Sequence, residues 1–135
     1  MSDASEAEEL PRSRCLELLG SRSLGRLALS ERALPTVVPV SYELVGDRVV
    51  LAAPQASRLL VEGQRPVVAF EVDDIDPDTF AGWSVVVVGA VQQIAADHPS
   101  VHTPAAGWTR LRPDPTTLVA GLTTDHISGR RFNGR

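Results

Sequence analysis

The sequence contains no lysine, and all thirteen of its basic residues are arginine. That absence excludes Schiff-base chemistry by the chain's own side chains, and it leaves arginine and backbone amides to hold any anion. There is a single cysteine, Cys15, so no internal disulfide can form. This agrees with a reducing compartment, and Cys15 reads as a core residue rather than a nucleophile. No apolar run approaches the roughly 18 to 20 residues that span a bilayer. The start, Met1 to Leu10, is acidic where a secretory signal would be basic and then apolar. The expected location is the cytoplasm, with no membrane partner. Positive charge is also scarce. The net charge is -4, and no arginine-rich block offsets the acidic start or the run from Asp73 to Asp78, which argues against a nucleic-acid partner bound through its phosphates. A glycine-flanked nucleophilic serine, a Walker loop and a dinucleotide fingerprint are missing as well, so acyl transfer and nucleotide hydrolysis have no local support.

What remains is an ordinary globular composition. The 135 residues are 43% hydrophobic with a mean hydropathy of -0.01. A chain of this size buries roughly two thirds of its unfolded surface, enough for one core. Ser5 and Glu8 have the spacing of a capping box, but Pro11 interrupts any helix begun there. Residues 1–10 are therefore expected to be a frayed or disordered tail ahead of a single domain over 11–135. From Pro11 onward Cys15, Leu16, Leu18 and Leu19 recur at helical spacing. They predict one short amphipathic helix with Pro11 at N1 and Gly20 at C′.

Six apolar, strand-length runs follow: Leu24 to Leu29, Thr36 to Val45, Arg48 to Ala53, Val67 to Val72, Ser84 to Ile94 and Leu118 to Thr123. Val45-Gly46-Asp47-Arg48 is a compact hairpin turn, because Gly46 and Asp47 tolerate positive φ. With so little helix between the runs, an antiparallel sheet closed into a barrel is favoured over a doubly wound parallel sheet. The predicted class is mainly β. Pro39 removes a ladder donor from the second run, so that point should lie at an edge or a bulge with backbone groups left free. A second helix fits Ser57 to Glu62 with Gly63 as its stop. Ala95 to Pro115 holds four prolines and no period, and reads as a loop.

Several local patterns bear on chemistry. Leu51-Ala52-Ala53-Pro54-Gln55-Ala56-Ser57-Arg58 is a strand turning into a helix start that carries a hydroxyl and a guanidinium. Amides at such a start attract anions, so Ser57 and Arg58 would complete a phosphate cradle. Taken alone, their geometry favours an N-cap followed by a solvated first-turn arginine over a phosphate site. The acidic stretch Glu71 to Asp78, counted from Asp74, fails as a calcium loop because Thr79 and Val85 stand where glycine and glutamate are required, and a solvated acidic connection describes it better. His98 and His102 are four apart, but Pro99 lies between them and no glutamate follows His98, so two loop histidines describe them better than a metal site. Val85 to Val88 is a run of four valines without alternation. Both faces of that strand should be covered, either within one chain or by a second subunit.

The order and spacing of these pieces resemble the flavin-binding split-barrel family related to pyridoxamine 5′-phosphate oxidase, particularly its short bacterial members. The resemblance runs from about Cys15 to Phe132. It rests on Leu24-Gly25-Arg26-Leu27-Ala28, Pro39-Val40-Ser41-Tyr42, Ser57-Arg58-Leu59, Gly82-Trp83-Ser84-Val85 and Asp125-His126-Ile127-Ser128-Gly129-Arg130-Arg131.

The resemblance implies a six-stranded antiparallel split β-barrel that dimerises and holds one flavin mononucleotide (FMN) in each of two clefts between the subunits. It implies that Val38, Pro39, Val40, Ser41 and Tyr42 line the isoalloxazine, with the strand Leu51, Ala52 and Ala53 leading to the phosphate turn. Ser57 and Arg58 would hold the phosphate, and Trp83 and Ser84 would come from the partner subunit. The implied activity is FMN-dependent oxidation or reduction of a small organic substrate, with no catalytic side chain assigned. Two alternatives share the barrel: a deazaflavin-dependent reductase, and a non-catalytic flavin-binding, storage or sensor module. The sequence departs from pyridoxamine 5′-phosphate oxidase itself at Leu59, which replaces a second basic residue of the phosphate turn. It departs also in the short Pro99 to Pro115 segment and in the Gly129-Arg130-Arg131 ending, so pyridoxal phosphate synthesis is not carried over.

Overall fold

The computed structural model describes residues 7–31, 33–54, 66–94 and 117–134. In chain order the elements are β1 (Ala7–Glu9), α1 (Arg12–Gly20), β2 (Leu24–Glu31), β3 (Leu34–Val45), β4 (Arg48–Pro54), β5 (Val67–Ile75), β6 (Ala81–Gln93), β7 (Thr117–Thr123) and β8 (Ile127–Asn133). All strand pairings are antiparallel, in the order β1-β8-β6-β5-β2-β3-β4-β7, with β7 also returning to β6. The ring β6-β5-β2-β3-β4-β7 is a closed six-stranded barrel. The expected second helix at Ser57 to Glu62 and the expected loop at Ala95 to Pro115 lie outside the described residues.

The six runs read from the sequence become β2 to β7. The other two strands carry almost no strand signal. β8, Ile-Ser-Gly-Arg-Arg-Phe-Asn, has only two large apolar residues, and its order comes from pairing along Ala81 to Val87 of β6. β1 falls inside the segment expected to fray. Ala7, Glu8 and Glu9 pair with Phe132, Arg131 and Arg130, and the Leu10 N–H donates to the Gly129 carbonyl at 2.9 Å. An acidic tripeptide holds no conformation alone, but two arginines lie across from its two glutamates.

α1 occupies the expected stretch, with a shift at each end. Pro11 is extended and caps the helix from outside, and Ser21 rather than Gly20 closes it. The last carbonyls are satisfied by side chains instead of a left-handed glycine. Ser21 Oγ donates to Leu18 O at 2.6 Å, and the hydroxyl of Tyr42, from β3, donates to Leu19 O. Arg12 donates to the carbonyl and hydroxyl of Thr124, whose hydroxyl donates to the Asp47 carbonyl. The helix is thereby tied at both ends to the barrel. Its buried side chains, Cys15, Leu18 and Leu19, join Leu27, Tyr42, Leu51, Phe70, Val85 and Val87 in one core. Tyr42 and Phe70 meet edge to face at 4.9 Å. Gly129 is required by this packing, since a Cβ there would lie 2.6 Å from Cys15 Sγ. Burial raises the Cys15 thiol pKa, in keeping with a core residue rather than a nucleophile.

The valine run does alternate in space. Val85 and Val87 are fully buried, while Val86 is half-buried and Val88 is 42% exposed. One chain therefore covers only one face of it. On the outer face, register aligns Val88 of β6 with Ala69 of β5, Ala69 with Ala28 of β2, and Ala28 with Val37 of β3. This apolar row crosses four strands and ends in a valine that is 63% exposed.

Beside the apolar row lies Val86-Glu71-Arg26-Pro39, in the same register. Arg26 Nη1 stands 3.1 Å from both Glu71 Oε1 and Asp73 Oδ2, so one guanidinium nitrogen serves two carboxylates. The Glu71 pKa is pushed up to about 7. Burial is the largest cause, a hydrogen bond with Asp73 and its charge add to it, and Arg26 opposes them.

Two outcomes are expected from these contacts. Tyr42→Phe leaves the Leu19 carbonyl buried and unpaired and should cost about 1–3 kcal/mol by urea denaturation; an unchanged midpoint would remove the cap from the account. Glu71 holds a proton in the folded chain that it releases when unfolded. Its contribution to stability is full below the unfolded value near 4.5 and is lost as pH rises through about 7. Glu71→Gln should therefore flatten the fall of the urea midpoint between pH 5 and 7.5, and parallel curves for the two proteins would count against proton sharing.

Candidate functional site

The ladder between β3 and β4 runs from Val45↔Arg48 to Ser41↔Ala52 and stops there. Below Ser41, β3 is still bonded to β2, as far as Leu34↔Glu31, but no described strand lies on its other side. The sequence placed Pro39 at an edge or a bulge, and among the described residues it sits at an edge. The groups presented at this edge follow from the pairing rule of antiparallel strands. The Tyr42 N–H donates to the Ser23 carbonyl at 3.0 Å, so the even-numbered residues of β3 face β2 with their polar backbone groups. The odd-numbered residues Pro35, Val37 and Pro39 face the open side. Two of these are prolines without an N–H, which blunts the edge against pairing with another strand. One donor, the Val37 N–H, is left among the carbonyls of Pro35, Val37 and Pro39.

Side chains alternate accordingly. Pro39 and Ser41 point to the outer face, and Ala52, paired with Ser41, is half-buried on the same side. Val40, Tyr42 and Leu51 are buried in the core, and Val38 packs against it. The N–H and C=O groups of Val38, Val40 and Tyr42 turn to β2 and those of Leu51 to β7, so these four present neither a side chain nor a polar backbone group at the edge. Of the stretch expected to line a ring, Pro39 and Ser41 are the residues whose side chains stand on the outer face, because a strand cannot turn consecutive residues to one face. Ala53 continues β4 toward Pro54. Ser57 and Arg58, the expected phosphate ligands, lie outside the described residues, as do His98 and His102.

Trp83 and Ser84 sit on β6, three strands from β3, roughly 14 Å away at about 4.8 Å per strand. They also diverge. Ser84 is half-buried on the outer face, aligned with Asp73 and Arg130, whereas Trp83 turns the other way and packs against the core near α1. The Arg22 guanidinium lies 5.6 Å from the Trp83 ring centroid and is held by Asp74 at 2.5 Å. One chain therefore does not bring Trp83 and Ser84 to the β3 edge.

The sequence reading passed over two groups on the outer face. Glu43 follows Ser41 by two residues and so shares its face. Its Oε2 is buried with no hydrogen-bond partner among the described residues, and burial raises its pKa. Arg48 Nε, on the neighbouring strand, is likewise buried and unpaired. A charged residue at the second position beyond Ser41, inside a strand of apolar alternation, was the available signal for Glu43. The other group is Glu71 with Asp73, whose acidic run read as a solvated connection. Asp76 to Phe80 does form the exposed connection, but Glu71 to Ile75 belongs to β5.

Residues 11–131 match the model of the pyridoxamine 5′-phosphate oxidase family. Rv0080, an uncharacterized protein of Mycobacterium tuberculosis, is 35% identical over 97 residues, covering 68% of this chain. The matched stretch spans 64% of that relative's length. Among solved structures, the FAD-binding protein of Mycobacterium smegmatis superposes with a TM-score of 0.70 at 23% identity, covering 94% of this chain and 99% of the other. A FAD-binding protein from Mesorhizobium loti gives 0.69 at 20% identity, covering 93% and 96%. The FAD and heme binding protein of M. smegmatis gives 0.71 at 21% identity, covering 96% and 74%. These likenesses establish the split-barrel fold. With the family model matched from Pro11 to Arg131, across the helix and every strand from β2 to β7, the chain belongs to the pyridoxamine 5′-phosphate oxidase family.

Proposed function

We propose that this protein is a cytoplasmic, homodimeric flavoprotein that binds FMN at the open edge of β3 and serves as an oxidoreductase on a small organic substrate. The observation that carries this reading is the backbone pattern of the edge, with the Val37 N–H set among the carbonyls of Pro35, Val37 and Pro39. The pyrimidine edge of an isoalloxazine carries one N–H between two carbonyl oxygens and so complements such a pattern. The same edge suits a deazaflavin equally. The FAD-binding proteins that share the fold favour a flavin. FMN and FAD carry the same ribityl phosphate, which Ser57 and Arg58 would hold after the end of β4. Arginine suits it through paired hydrogen bonds in a chain without lysine.

A second copy is the natural cover for the outer face. The row Val88-Ala69-Ala28-Val37 is apolar, and Val67 and Val37 are 70% and 63% exposed. A lone domain of this size would leave that surface to water. Bringing two such faces together would carry Ser84 of one chain toward the β3 edge of the other. When bound, the flavin supplies hydride or electron transfer. The chain's part is to hold the ring at the edge, exclude water with the apolar row, and keep the Glu43 carboxyl in a buried place on the same face.

Two variants separate the ring from the phosphate. Arg58→Ala removes a charge-assisted hydrogen bond of roughly 1.5 to 3 kcal/mol and should weaken FMN about tenfold to a hundredfold, with riboflavin nearly unaffected. Val37→Pro removes the one edge donor without breaking a ladder bond and should weaken FMN and riboflavin alike. Fluorescence titration measures both. Full FMN affinity in Arg58→Ala would move the phosphate elsewhere, and full riboflavin affinity in Val37→Pro would move the ring.

A further inference from the structure

A pocket of about 540 Å³ opens between α1, β6 and β8, on the opposite side of β6 from Ser84. We propose that it binds a small planar aromatic carboxylate, stacked on Trp83 and paired with Arg131. The volume is that of an ordinary small-molecule site. Its apolar wall is formed by Leu10, Leu18 and Trp83, its charged wall by Arg14 and Arg131, and the end of β8 at Phe132 and Asn133 borders it. Among the described residues no carboxylate lines it.

Arg131 stands directly across from Trp83 in the β6–β8 register, so guanidinium and indole flank the same space. Arg131 makes no ion pair among the described residues. Its cross-strand neighbour on β1 is Glu8, yet the Glu8 carboxylate accepts from Asn133 Nδ2 at 3.5 Å instead. Arg14 pairs with Glu17 at 2.8 Å, but both side chains are exposed, and a contact of that kind is readily exchanged for a ligand. Gly82 places no side chain beside the indole. A flat ring gains area on Trp83, and a carboxylate matches the two-pronged geometry of a guanidinium. A neutral ring would leave Arg131 without its counter-charge.

The pocket lies apart from the β3 edge, so this site stands whether or not a flavin binds there. The protein has two tryptophans, and in a Trp108→Phe background the single indole N–H resonance reports Trp83. Titration with 2-naphthoate should shift that resonance saturably, and the neutral 2-naphthamide should bind roughly tenfold more weakly. Arg131→Ala should abolish the difference between the two, Arg131→Lys should restore part of it, and Glu8→Gln should tighten 2-naphthoate. The indole resonance of each variant without ligand checks that the fold is intact. Equal binding of acid and amide to the parent would overturn the proposal, as would undiminished 2-naphthoate binding in Arg131→Ala. Competitive displacement of FMN by 2-naphthoate would merge the pocket with the flavin site and overturn it as a separate site.

Discussion

β6 is the strand on which the barrel depends, because it bonds three others. Its first seven residues pair with β8, its last three with β7, and the span from Gly82 to Ala90 with β5. From Gly82 to Val87 it has a strand on both sides, and handing one side from β8 to β7 is what closes the ring. Val85, Val87 and Val91 are all buried on its inner face. Since side chains alternate, the same pairing turns Ser84, Val86 and Val88 outward. The closed core and the apolar outer face are thus two consequences of one strand.

Where β6 removes edges, β3 leaves one among the described residues. It is twelve residues long, but β4 accompanies it only from Ser41 onward. The prolines at 35 and 39 fall on the residues whose N–H groups would face the opening, so the edge is protected from other strands while keeping acceptors and a single donor. That arrangement is poorly suited to strand addition and well suited to a heterocycle with its own donor and acceptors. The mixed charge beside it, Arg26 with Glu71 and Asp73, gives the face polar definition next to its apolar row.

Much of this was legible in the chain. Six runs of valine and leucine marked the barrel strands, Pro39 marked the edge, Gly46 marked the β3–β4 turn where it adopts φ +65°, and Cys15 was read as core. The parts that were not legible depend on long-range pairing. β8 has too few apolar residues to show a period, and β1 is an acidic tripeptide, so each becomes a strand only because a neighbour is present. The two-faced outcome at Val85 to Val88 was hidden for a related reason, since a uniform run of valines says nothing about which face meets protein and which meets water. The inward turn of Val40 and Tyr42, against Pro39 and Ser41 facing out, follows from period-two geometry once the register is known. It divides a motif that reads as a unit in the linear sequence.

In the proposed dimer, the flavin cleft forms between two copies of the chain, each covering the other's apolar face. Native mass spectrometry of the protein saturated with FMN tests it directly. The expected species is a pair of 14.5 kDa chains carrying two flavins, with dissociation of the pair releasing both. A single chain that retains one flavin, or a pair that binds none, would contradict the shared cleft.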